Sequence, residues 1–321
     1  MKQICWAPHP INSSGINYLE ENGLAVSTEN SPEDPLQRQQ IVAAIFRSGK
    51  FTRTMMEQFP HLRVIAVHGV GTDGIDLAAA TENGIVVLNT PGMNSRSVAE
   101  HALALLFDLA KRLTICDRAV HQQQYMAIKY TSGFQEIYGL TLGIVGYGAI
   151  GQILARMAVA LGMKVVVHTS QPAEVIAQAG CSKAADLASL LRESDFVSLH
   201  APATADTYHL MDRQRLALMK RSACLINTSR GSLIDENALA DALTQGELAG
   251  AGLDVFEQEP LASDSPLMTA PNLILTPHTA ASSDSAMRNI ALAAAQGVVT
   301  VLNHQLPLSL INPAVWPTRR Q

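Results

Sequence analysis

Short apolar, β-branched runs alternate with amphipathic stretches almost from one end of the chain to the other. The runs predict strands at 3–6, 42–46, 64–67 and 85–88, then at 142–145, 164–168, 196–199, 224–227, 250–255 and 273–275. Between them, apolar positions at helical spacing predict helices over 150–161, 186–193 and 236–245. Strands that alternate with helices build parallel sheets covered on both faces, so the pattern predicts an α/β fold. A single long helical pattern at about 95–120 separates the two sets of strands. A second, at 284–303, precedes a proline-punctuated tail, 306–321, that is too short to be a domain. That helix is therefore expected to return to the first domain, making it discontinuous and leaving a cleft between two lobes.

Length and composition narrow the picture. A chain of 321 residues suits two domains. Hydrophobic content of 47% against 16% charged residues excludes intrinsic disorder. A net charge of −5 argues against a nucleic-acid binder, which needs a concentrated basic face. No stretch approaches the roughly 20 apolar residues that span a bilayer, so no membrane partner is expected. The first residues, Met1-Lys-Gln-Ile-Cys5, lack the apolar core of a signal peptide. Cys5, Cys116, Cys181 and Cys224 are scattered, without CxxC or zinc-ligand spacing. They read as reduced thiols of a cytoplasmic protein, and no metal is expected.

The sharpest local signal is Leu142-Gly-Ile-Val-Gly146-Tyr-Gly148-Ala-Ile-Gly151. A lone GxGxxG is weak, but this one follows a predicted strand and opens a predicted helix, with another strand ending near His168. In that context Gly146 permits a tight turn, Gly148 lets backbone approach a pyrophosphate, and Gly151 permits close helix–strand packing. The second strand of such a unit normally ends in an acid that binds the ribose 2′-hydroxyl of NAD. Here it ends His168-Thr169-Ser170-Gln171, with no carboxylate to repel a 2′-phosphate and no Arg to pair one. The residues lean toward NADP and leave NAD open, with Ser170 and backbone groups then holding a 2′-hydroxyl.

Further segments complete a pattern. These are Val67-His-Gly-Val70-Gly71-Thr-Asp-Gly-Ile-Asp76, Asn89-Thr-Pro-Gly-Met-Asn94-Ser-Arg-Ser97-Val-Ala-Glu100 and Leu225-Ile-Asn-Thr228-Ser229-Arg230-Gly. Gly252-Leu-Asp254-Val-Phe-Glu-Gln-Glu259-Pro and Thr276-Pro-His278-Thr279-Ala280 follow. In this order, and with the glycine motif, they resemble the D-isomer-specific 2-hydroxyacid dehydrogenases over nearly the whole chain. The resemblance implies two Rossmann-like or flavodoxin-like parallel-sheet domains: a substrate domain of 1–95 plus 285–321 around a cofactor domain of 96–284. It also implies Arg230, Glu259 and His278 as the catalytic set. His278 would give a proton to a keto oxygen, Glu259 would orient its ring and favour the imidazolium, and Arg230 would clamp the substrate carboxylate. Taken singly, each also fits a blander role as a surface or strand-end residue.

By the same resemblance, backbone N–H groups of Val70 and Gly71 would receive the substrate carboxylate. Asp254 would partner the nicotinamide carboxamide, or else cap a strand end. Ala149, Ile150, Thr169, Ala201, Thr228, Ser229, Thr279 and Ala280 would line the cofactor. The implied protein is a homodimeric, cytoplasmic NAD(P)-dependent oxidoreductase of a small 2-keto or 2-hydroxy acid, with the helix after Ser95 as the dimer element. Glyoxylate and hydroxypyruvate reduction stay open beside 3-phosphoglycerate oxidation, because Phe46-Arg47-Ser-Gly-Lys50 is similar to a phosphate-binding loop of phosphoglycerate dehydrogenases. A dinucleotide-sensing corepressor is the alternative of a different class.

Overall fold

The structure, a computed structural model, describes residues 2–321. The chain forms two compact units, Met1–Asn94 with Ser282–Gln321, and Ser95–Ala281.

In the first unit, strands β1 (Ile4–Trp6), β2 (Ala25–Ser27), β3 (Ile41–Phe46), β4 (Val64–Val67) and β5 (Val86–Leu88) form a sheet of order β2-β1-β3-β4-β5. Every pairing is parallel, and this is the flavodoxin-like order. Alternate residues serve two cores. Cys5, Ala43, Ile45, Val64 and Val86 pack with helix Asp284–Leu302, while Trp6, Phe46, Ile65 and Val87 pack with Phe51 and Phe59 on the other face. Helix Asp284–Leu302 lies so close to helix Ser13–Glu21 that a Cβ on Gly15 would stand 2.7 Å from the Ala291 carbonyl oxygen. It is also the exception to the expectation about membrane spans: at 19 residues it is long and apolar enough to cross one. Core packing accounts for its composition, since Ile290, Ala294, Ala295 and Val298 are buried in this unit.

In the second unit, β6 (Thr141–Val145), β7 (Lys164–His168), β8 (Ser182–Lys183), β9 (Phe196–Leu199), β10 (Cys224–Asn227), β11 (Gly250–Leu253) and β12 (Leu273–Leu275) form a parallel sheet. Its order is β12-β11-β10-β9-β6-β7-β8, the doubly wound nucleotide-binding arrangement with one strand added. Strand order reverses between β6 and β9, which opens a crevice at their carboxyl ends, where ligands of such sheets bind.

Three departures from the sequence reading have local causes. The helix expected over 95–120 is two helices, Ser95–Lys111 and Leu113–His121, broken at Arg112 with φ 53°. A continuous helix would give the Thr114 N–H to the Ala110 carbonyl, but Asp108 Oδ1 takes that N–H at 2.8 Å and Gln135 N–H takes the carbonyl at 2.8 Å. β11 stops at Leu253 rather than 255, because Asp254 begins a turn described below. β2 and β8 were not expected; each is short, and β8 is wholly polar.

Candidate active site

The glycine motif sits at the β6–β9 crevice. Gly146 has φ 95°, and a Cβ there would lie 2.6 Å from the His200 carbonyl and 2.8 Å from Ala201 N. The loop after β9 therefore passes directly over the turn. A Cβ on Gly151 would meet the Gly146 oxygen at 2.4 Å, whereas one on Gly148 meets nothing within 4 Å. Gly148 is exposed and caps the 12-residue helix Ala149–Ala160, whose first N–H groups, at Ala149 and Ile150, have no acceptor within the helix. A tight turn, an open glycine and a helix N-terminus together fit a pyrophosphate.

The other positions expected to line a cofactor fall at the carboxyl ends of neighbouring strands. Thr169 and Ser170 follow β7, Ala201 follows β9, and Thr228 and Ser229 follow β10. Ser229 Oγ donates to the Ala201 carbonyl at 2.6 Å and ties two of these loops together. Thr228 Oγ1 is buried without a partner among the described residues, a polar atom available to a ligand. Thr279 and Ala280 are placed differently, because their backbone N–H groups go to Asp254 at 2.9 and 2.8 Å.

Asp254 holds a structural position in this unit. Its side chain has no exposed surface, and Thr276 Oγ1 also donates to it at 2.6 Å. Both of its oxygens hold the turn after β12, and His101 Nε2 stands 3.6 Å away. The carboxylate thereby builds the turn that carries His278. This is the capping role the sequence also allowed.

Arg230, Glu259 and His278 extend from loops after β10, β11 and β12, three adjacent strands. His278 has φ 53°, and its N–H donates to the Asp254 carbonyl at 2.8 Å. Its Nδ1 lies 2.7 Å from Glu259 Oε2, while Glu259 Oε1 accepts from Phe256 N–H at 3.1 Å. The hydrogen bond from Glu259 raises the His278 pKa; burial opposes it, the charges of Glu259 and Asp254 add to it, and Arg230 subtracts. Burial pushes Glu259 up, yet hydrogen bonds from His278 and Phe256 N–H, with the charges of His278 and Arg230, leave its carboxyl below the usual value. The pair is therefore biased toward imidazolium and carboxylate, with Nε2 directed away from the glutamate.

Two residues that sequence reasoning passed over fix Arg230. Asn227 is fully buried; its side chain accepts from Ser229 N–H at 3.0 Å and donates to the Arg230 carbonyl at 2.8 Å. At Gly231 a Cβ would lie 1.8 Å from the Phe256 carbonyl carbon and 2.2 Å from Glu257 N. Only glycine lets the Arg230 loop approach the loop of Glu259. Gly231→Ala is expected to cost about 3 kcal/mol or more, because rigid backbone must move on both sides. An unchanged denaturation midpoint would refute that reading. Glu236 anchors the same loop by accepting from Glu257 N–H at 2.7 Å.

In the first unit, the loop after β4 leaves the Val70 and Gly71 N–H groups without partners among the described residues. Asn89 Nδ2 holds the Val70 carbonyl at 2.7 Å, and Thr90 N–H holds that of Gly69 at 2.9 Å. A turn with fixed carbonyls and unpaired N–H groups can receive an anion. Among the described residues, no group of three or more His, Cys, Asp or Glu side chains is placed to hold a metal ion.

A doubly wound parallel sheet with this glycine turn at its switch point defines a dinucleotide-binding protein. Comparison with known proteins agrees. Residues 103–280 match the model of the D-isomer specific 2-hydroxyacid dehydrogenase NAD binding domain. A glyoxylate reductase of Korarchaeum cryptofilum is 41% identical over 83% of this chain and 80% of its own. A D-3-phosphoglycerate dehydrogenase of Methanocaldococcus jannaschii is 37% identical over 94% of this chain, which spans 58% of that longer protein. The crystal structure of an NADPH-dependent glyoxylate/hydroxypyruvate reductase from Sinorhizobium meliloti, in complex with NADP and malonate, superposes with a TM-score of 0.85. It covers 100% of this chain and 99% of its own at 29% identity. The chain belongs to the D-isomer specific 2-hydroxyacid dehydrogenase family, and its cofactor is a nicotinamide dinucleotide.

Proposed function

We propose that this protein reduces a small 2-keto acid to the D-2-hydroxy acid, with NADPH preferred to NADH, and that glyoxylate or hydroxypyruvate is the substrate. The observation that carries the reading is the 2.7 Å pair of His278 and Glu259 with Arg230 on the adjacent strand end. The glycine turn would hold the pyrophosphate of a dinucleotide whose nicotinamide would supply the hydride. Arg230 binds the substrate carboxylate. His278 Nε2 gives its proton to the keto oxygen as the carbonyl carbon gains hydride, and Glu259 stabilises the imidazolium before transfer. Similarity to glyoxylate reductases supports this substrate class; one from Thermococcus litoralis is 40% identical over 98% of both chains.

The test is oxidation of NADPH and NADH with glyoxylate, hydroxypyruvate, pyruvate and phosphohydroxypyruvate. Turnover is expected with the first two and greater with NADPH. A clear preference for phosphohydroxypyruvate would move the assignment to phosphoglycerate dehydrogenase. Binding without any turnover would favour a dinucleotide-sensing role.

We also assign a homodimer in the cytoplasm. All four cysteines are free thiols, in keeping with a reducing compartment. Val120, Tyr125, Met126, Tyr130 and Tyr138 are 50–79% exposed within one short segment, a concentration of apolar area that marks an association surface. Sedimentation is expected to give twice the 34.4 kDa chain mass, and Tyr130→Glu to shift it toward monomer. A wild-type monomer at micromolar concentration would exclude the dimer.

A further inference from the structure

The end of β7 offers a 2′-phosphate no repelling acid, and the residues that follow it bring no arginine. The fold supplies a cation from elsewhere. Lys183, on β8, is the register partner of Val167 on β7. Its Nζ donates to the Gln171 carbonyl at 2.6 Å, which holds the ammonium at the turn that carries Thr169 and Ser170. Gln171 is fixed in turn: its N–H donates to Thr169 Oγ1 at 3.2 Å and its Nε2 to the Tyr147 carbonyl, inside the glycine motif, at 2.8 Å. The ammonium is thus tied to the glycine turn through one residue. An ammonium has three donors and the carbonyl uses one, so two remain.

We infer that Lys183 is the cation that selects a 2′-phosphorylated dinucleotide, with the Thr169 and Ser170 hydroxyls as its co-donors. The inference rests on the reading of residues 146–151 as the dinucleotide turn. The charges around it agree. Asp186, three residues beyond Lys183, is the nearby acid in the chain. That carboxylate is committed to capping helix Leu187–Glu193 and accepts from Ser189 N–H at 2.7 Å. A 2′-phosphate carries a charge near −2, so an exposed ammonium beside hydroxyls favours it, whereas a 2′-hydroxyl gains little from the same group.

Calorimetric titration with 2′,5′-ADP and with 5′-ADP tests this without turnover. The wild type is expected to bind 2′,5′-ADP more tightly, with an advantage that shrinks as salt is added. Lys183→Ala should weaken 2′,5′-ADP about tenfold and leave 5′-ADP within twofold, and Lys183→Arg should restore most of the loss. Equal binding of the two nucleotides by the wild type, or an equal loss of both in Lys183→Ala, would overturn the inference while leaving the dinucleotide turn intact. Failure of the wild type to bind either nucleotide, or NADH, would overturn the turn itself and the inference with it.

Discussion

Replacing His278 with Gln is expected to lower kcat/KM for keto-acid reduction by about 10²–10⁴-fold while nucleotide affinity holds. The imidazole is the proposed proton donor, and its Nδ1 is already engaged by Glu259 at 2.7 Å. The companion variant, Glu259→Gln, keeps an acceptor for Nδ1–H but removes the charge. In the wild type the hydrogen bond and charge of Glu259 raise the His278 pKa above its ordinary 6.5. The reductive rate should therefore persist above that pH and fall as pH rises through the raised value. Glu259→Gln should move this alkaline limb to lower pH, because the protonated ring loses its stabilising charge. A limb that stays in place in Glu259→Gln would separate the glutamate from the titration. A His278→Gln enzyme within tenfold of wild type would remove the histidine from proton transfer.

Arg230→Ala carries a comparable penalty. Truncating one side of a desolvated charge pair costs about 2–5 kcal/mol, so kcat/KM should fall by roughly 30- to 5,000-fold. Most of the loss should reach KM if the guanidinium binds the carboxylate equally in ground and transition states, and kcat if it also polarises the carbonyl. Arg230→Lys should not recover the activity, because a point charge does not reproduce a planar fork. The side chain of Asn227 holds the backbone of this loop on both sides of Arg230, and the guanidinium adds one bond to the Ser229 carbonyl at 2.7 Å, so a thermal melt should accompany the kinetics of each variant. Unchanged kcat/KM in Arg230→Ala would show that the carboxylate is bound elsewhere.

Much of the fold was legible because buried parallel strands are written as local apolar runs. The segments at Val64–Val67, Lys164–His168, Phe196–Leu199, Cys224–Asn227 and Leu273–Leu275 match the expectation residue for residue. What escaped is non-local. The break at Arg112 depends on Gln135 reaching the Ala110 carbonyl, a contact made 25 residues away. Gly231 reads in sequence as an ordinary turn glycine, and only the approach of Phe256 shows why a side chain is forbidden there. Asp254 carried a family motif but not its burial, so a turn-holding carboxylate was open to reading as a ligand contact. Lys183 lies on a two-residue polar strand that no hydrophobic pattern could announce.

The order of the second sheet has an evolutionary corollary. The residues proposed for acid–base chemistry and for the carboxylate clamp hang from β10, β11 and β12, whereas the turn proposed to select the nucleotide hangs from β7 and β8. Three strand spacings, about 14 Å, separate β10 from β7. Substitutions that far apart, with no shared partner, combine independently. A lineage built on this sheet could exchange one reductant pool for another by mutation at Lys183 or Ser170 without retuning its proton donor, and the chemistry could drift without loss of the coenzyme. The two traits are separately heritable because the register of a parallel sheet places them on different strands.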